Sequence, residues 1–143
     1  MLTLLDARKI ANAAVLRAQE LNLAISVAVC DPSGRLIVLN QMERSVGWQT
    51  DRSSMGKAVA AATTGRASHR LFDHLGAEEL VYSSTNVVPP RGQRGGLPVV
   101  KSGVVEGGCG VSGAFNPALD EECARAGIEA LSTVAAQLIA SSA

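Results

Sequence analysis

The chain has 143 residues, 47% of them hydrophobic and 18% charged, which is the length and composition of one globular domain spanning 1–143. Its 13 basic and 13 acidic residues cancel, removing the basic excess that a nucleic-acid or anionic-membrane partner demands. Four aromatic residues (Trp48, Phe72, Tyr82 and Phe115) offer few platforms for stacking bases, and three cysteines without CxxC spacing signal neither a disulfide framework nor zinc. The amino-terminal MLTLLDARKI lacks a basic stretch before an apolar run, and no run of about 18 apolar residues occurs, so a soluble cytoplasmic protein is expected.

The spacing of Ala7, Ile10, Ala11, Ala14, Ala18 and Leu21 predicts an amphipathic helix over 3–21, opened by a Thr3/Asp6 capping box and closed near Asn22. Residues 23–30, LAISVAVC, read as a buried strand. A type I turn at Asp31-Pro32-Ser33-Gly34 then leads into a second strand over 35–42, making a hairpin. A helix is predicted over 53–64, with Met55, Ala58, Val59 and Ala62 as its stripe, Asp51 or Ser53 as its cap and Gly65 just past its end. A short helix or turns follow over 67–80, and 82–93 is the longest candidate loop. A second hairpin runs from Gly96 through a Lys101-Ser102-Gly103 turn to Ser112. Asn116-Pro117 opens a carboxy-terminal helix. Helices outside paired hairpins indicate an α+β fold on an antiparallel sheet rather than a doubly wound parallel one.

Glycines crowd positions 92–113, and glycine inside a strand implies that a ligand or another backbone approaches closely. Strict alternation places Glu106 on one face with Gly108, Gly110 and Ser112, and Cys109 on the other with Val105 and Val111. A carboxylate over bare glycines faces open space, and this is the candidate general acid/base; Cys109 is the candidate nucleophile, with a small buried hydrophobe as the competing reading. Arg91 and Arg94 flank flexible backbone suited to anions, with the N–H groups of Gly95 and Gly96 beside them. His69 and His74 are the candidate metal or haem ligands, although five residues apart is not the i, i+4 spacing of a helical metal pair. On spacing alone Lys57 and Glu43 are surface charges.

These stretches together resemble the GlcG/HbpS family of haem-binding proteins, whose domain also ends the PduO-type corrinoid adenosyltransferases. The matching segments are VAVCDPSGRLIVLNQME (27–43), the helix containing Lys57-Ala58, GGLPVV (95–100), GCGVSG (108–113) and DEECARAGIEAL (120–131). The resemblance implies a five-stranded antiparallel sheet flanked by helices, profilin-like, in a homo-oligomer of dimers or larger rings. It also implies a small-molecule ligand, haem, a corrinoid or a related compound, with haem as the cofactor if there is one. Glu43, Lys57, Arg91, Arg94, Gly95, Gly96 and Ser112 are the candidate ligand contacts. The family usually has an apolar residue at Glu106 and Ile at Cys109. Those departures keep a second reading open: a cofactor-independent isomerase, hydratase or hydrolase acting on a small anionic metabolite through Glu106.

Overall fold

The computed structural model describes residues 1–45, 49–73 and 89–142, with side chains throughout except at 72 and 133–142. Helix α1 (Leu4–Glu20) is followed by strands β1 (Ser26–Cys30) and β2 (Leu36–Gln41), helix α2 (Thr50–Thr64) and a 3-10 helix (Ser68–Asp73). Strands β3 (Gly96–Lys101) and β4 (Val104–Ser112) and helix α3 (Pro117–Ser142) complete it. The described strands form one antiparallel sheet in the order β2-β1-β4-β3, four strands where the resemblance implies five.

Local chemistry sets the ends. Thr3 accepts from the Asp6 N–H at 3.0 Å while Asp6 accepts back from Thr3, so the expected capping box closes α1. Thr3→Ala is expected to cost about 1 kcal/mol in urea unfolding. Asn22, at φ 56, ends that helix in the left-handed conformation that asparagine tolerates. Asp31 organises the first turn by accepting from the Ser33 and Arg35 N–H groups at 2.9 and 3.0 Å. The second hairpin closes through Ser102 and Gly103, both at positive φ, which matches the right-handed twist of its strands. Helix α2 starts at Thr50 rather than Ser53, with Gln49 and not Asp51 or Ser53 at its cap. It ends as expected at Gly65.

Two layers of helix sandwich the sheet. Helices α1 and α3 cover one face around Ile10, Val27, Val29, Cys109, Val111 and Cys123. They meet closely because Gly127 lies on α1, where a Cβ would sit 2.6 Å from the Ile10 carbonyl oxygen. Helix α2 covers the other face, over Ala28 and Cys30, with Ala58 and Ala62 against the strands. Its run 56–62 is buried all round, so the expected stripe is replaced by a fully enclosed helix. Among the described residues no helix is long and apolar enough to cross a membrane.

Candidate functional site

The strand glycines face helix α2, not open space. A Cβ on Gly110 would collide with the Ser54 carbonyl oxygen and lie 2.5 Å from the Ala58 nitrogen. One on Gly108 would meet the Ala58 carbonyl and, at 2.9 Å, the Ala62 nitrogen, and one on Gly96 would meet the Lys57 carbonyl. These glycines let a helix backbone lie directly on the sheet. Ser112 is buried beneath the same helix, donating to Ser53 Oγ at 2.7 Å.

Glu106 leaves this face altogether. Val99 pairs with Gly107 and Val100 with Val105, so Glu106 is the extra residue of a β-bulge and the alternation resets there. Val105 consequently lies toward α2, where it comes within 3.3 Å of a Cβ placed on Gly65, while Cys109 and Val111 lie in the core on the opposite face. The Glu106 carboxylate pairs with the Met1 amino group, and its carbonyl accepts from Leu2 at 3.1 Å. Cys109 is completely buried, and burial pushes its thiol far above the ordinary range, so it packs as an apolar residue rather than serving as a thiolate nucleophile. Burial likewise pushes Cys30 to about 12 and Cys123 to about 11.

The charged centre of the molecule lies elsewhere, where α2, the segment before β3 and the first turns of α3 meet. Lys57, expected at the surface, is only 4% exposed. Its Nζ donates to the Val111 carbonyl at 2.8 Å and to Asp120 Oδ2 at 3.4 Å. Asp120, itself buried, accepts from the Ala114 N–H at 3.0 Å through its other oxygen. Desolvation lowers the Lys57 pKa, opposed by Asp120, and desolvation raises that of Asp120, opposed by Lys57; the interior pushes both partners toward their neutral forms.

Cations surround this pair. Glu121 is buried and accepts from Arg94 at 2.9 Å and Arg125 at 3.0 Å, with His69 Nδ1 3.8 Å away. Arg91 lies along α2, its N–H donating to the Gly56 carbonyl at 2.9 Å and its Cγ 2.6 Å from a Cβ placed on Gly56. Among the described residues its half-buried guanidinium has no carboxylate partner. Gly95 lies against the buried pair, where a Cβ would be 2.9 Å from Lys57 Nζ and 3.1 Å from Asp120 Cβ. The Gly96 N–H is already spent on Ser68 Oγ at 2.8 Å, so it is not a free donor for an oxyanion.

The structure therefore brings Lys57, His69, Arg91, Arg94 and Gly95 to one corner and leaves Glu106, Cys109 and Ser112 outside it. Glu43 is exposed and lines a separate open cleft of about 420 Å³ with Asn12, Leu16, Gln19 and Asn40. His74 lies outside the described residues, as do the rest of 67–80 beyond Asp73 and residues 82–88 of the 82–93 loop. Asp120, Glu121 and Arg125 are the site residues that sequence reasoning missed; the two acids, in a run at a helix start, look like partners of the helix dipole alone.

A family model described as haem-degrading, HbpS-like proteins matches residues 2–129. An uncharacterized 15.0 kDa Citrobacter freundii protein from the dhaT–dhaS intergenic region is 32% identical over 114 residues, 78% of this chain and 80% of that one. A double mutant of HbpS from Streptomyces reticuli has a TM-score of 0.78 at 33% identity, covering 91% of this chain and 86% of that chain. A PduOC–haem complex has a TM-score of 0.74 at 27% identity, covering 90% and 94%.

Proposed function

The chain belongs to the HbpS-like family, and on that premise we propose that it is a small-molecule-binding protein whose ligand carries carboxylates, haem being the first candidate. The observation that carries this reading is the excess of cations at one corner. Among the described residues Lys57, Arg91, Arg94 and Arg125 share two carboxylates there, Asp120 and Glu121, and Arg91 pairs with neither. A ligand bearing two carboxylates supplies the missing charge, because guanidiniums take carboxylates in a bidentate fork.

The donor set fits an iron porphyrin. His69 is half exposed, with its Nδ1 3.8 Å from Glu121 Oε2, so its imidazole stands at the edge of the cluster where a metal could reach it. In this reading His69 holds the iron, Arg91 and Arg94 hold the propionates, and bound iron supplies redox chemistry at the tetrapyrrole. Lys57 and Asp120 form the floor. The same family reading assigns the chain a fifth strand and a homo-oligomeric assembly.

Hemin titration is the test. A Soret band that saturates at one equivalent, and is lost in His69→Ala, is expected. Arg91→Ala and Arg94→Ala should each weaken binding about tenfold, the equivalent of one charge-assisted hydrogen bond at about 1.4 kcal/mol. A wild-type titration without a saturable band would remove haem as the ligand. An unchanged band in His69→Ala would remove His69 from the site.

A further inference from the structure

We infer that Glu121 is a positioning residue: it holds Arg94, Arg125 and His69 as a preformed clamp for the acid groups of the ligand, with Arg125 as one arm. The inference rests on the reading of the cation corner as a ligand site, but not on haem. The Glu121 side chain is 8% exposed, whereas those of Arg94, Arg125 and His69 are 49%, 55% and 47% exposed. One acid therefore lies beneath three basic side chains that reach solvent. They come from three places: Arg94 from the segment before β3, His69 from the 3-10 helix and Arg125 from the next turn of α3. Glu121 Oε2 accepts from Arg94 Nε at 2.9 Å and stands 3.8 Å from His69 Nδ1, while Oε1 accepts from Arg125 Nη2 at 3.0 Å.

Each arginine commits a single nitrogen to Glu121. A guanidinium carries five N–H donors in a planar fork, so each arm keeps donors for a second acceptor on its exposed half. A long side chain ordered only when the ligand arrives costs affinity; Glu121 orders both arms beforehand. Stability alone accounts poorly for the arrangement, because ion pairs with half-exposed arginines contribute little to it. Arg91 is not among the partners of Glu121, and its contribution to the ligand is separate.

Charge and position give opposite signs for one substitution. By charge alone, the Glu121 carboxylate repels an acidic ligand, so neutralising it in Glu121→Gln strengthens binding. By position, the same change turns an amide N–H group toward a guanidinium, releases that arm and weakens binding. Position wins here. The ligand's hydrogen bonds are short contacts with the two arms, whereas the repulsion reaches it across a layer of exposed cations and is screened by salt.

Two probes read the clamp: hemin through its Soret band, and citrate, a small tricarboxylate, through calorimetric titration. With either probe that binds the wild type, Glu121→Gln and Arg125→Ala should each weaken binding about tenfold, the scale of one charge-assisted hydrogen bond. Arg35→Ala, which removes an exposed guanidinium just after the first hairpin turn, should leave binding unchanged. In an Arg94→Ala/Arg125→Ala background, Glu121→Gln should reverse its sign and tighten binding, because only the repulsion is left to remove. A merely structural role for Glu121 gives no such reversal. Glu121→Asp keeps the charge but withdraws the carboxylate by one methylene, and should also weaken binding; it serves as the test if Glu121→Gln does not fold. Binding by Glu121→Gln as tight as wild type or tighter, or no effect of Arg125→Ala, overturns the clamp and leaves the ligand-binding reading standing. A wild type that binds citrate without a saturable Soret band removes haem and keeps the clamp. A wild type that binds neither probe overturns both.

Discussion

Gly110→Ala is expected to destabilise the protein by upwards of about 3 kcal/mol, beyond the usual range for one added methyl group. The new Cβ would enter the backbone of α2, against the Ser54 carbonyl and 2.5 Å from the Ala58 nitrogen. Neither atom is the end of a side chain that can rotate away, so relief requires lifting the helix from the sheet. The opposing effect, the lower chain entropy of alanine in the unfolded state, is worth only about 0.4–1 kcal/mol. Gly103→Ala is the matched control: nothing lies within 4 Å of its Cβ, and its φ of +77° sets the cost, about 1–2 kcal/mol. Urea midpoints for the two variants should therefore separate clearly. Equal losses would mean that α2 does not lie on the glycine strand as described.

That contact explains which part of the sequence was legible. Apolar periodicity located α1, turn chemistry located both hairpins, and Asn116-Pro117 located α3, since each is a local rule with one dominant solution. Glycine density in 95–113 correctly announced a close approach, but glycine does not say whether the approaching group is a ligand or a helix. Here the visitor at Gly96, Gly108 and Gly110 is α2. Alternation misplaced Glu106 because a single bulge residue reverses every assignment before it, and a bulge has no obligatory sequence.

Lys57 was hidden for a different reason. A lysine in a helix ordinarily marks the solvent side, and its counter-charge lies 63 positions away in another helix. The available signal was the run AVAAA at 58–62: small residues without a polar face indicate a helix enclosed on all sides, with its one lysine enclosed too. Asp120 in turn sits among three acids at a helix start, a pattern that the helix dipole alone accounts for.

Removing one member of the buried pair should cost about 3–5 kcal/mol, because the other is left charged and desolvated. In Lys57→Met the Asp120 carboxylate keeps only the Ala114 N–H, and the Val111 carbonyl loses its side-chain donor. In Asp120→Asn the Lys57 ammonium loses its counter-ion and is driven further toward the free amine. The double variant Lys57→Met/Asp120→Asn should be less damaged than the sum of the two, because neither partner is then left as a lone charge. The pH dependence has a definite sign. A lysine whose folded pKa lies below 10.5 favours folding most above 10.5 and loses that contribution as pH falls through its folded value. An aspartate raised above 3.8 favours folding most below 3.8 and loses its contribution as pH rises through its folded value. Both contributions are therefore smallest between those two folded values, and wild-type stability relative to the double variant should be lowest there and recover toward both ends. A flat difference curve, with single-variant losses under about 1 kcal/mol, would mean that water reaches the pair.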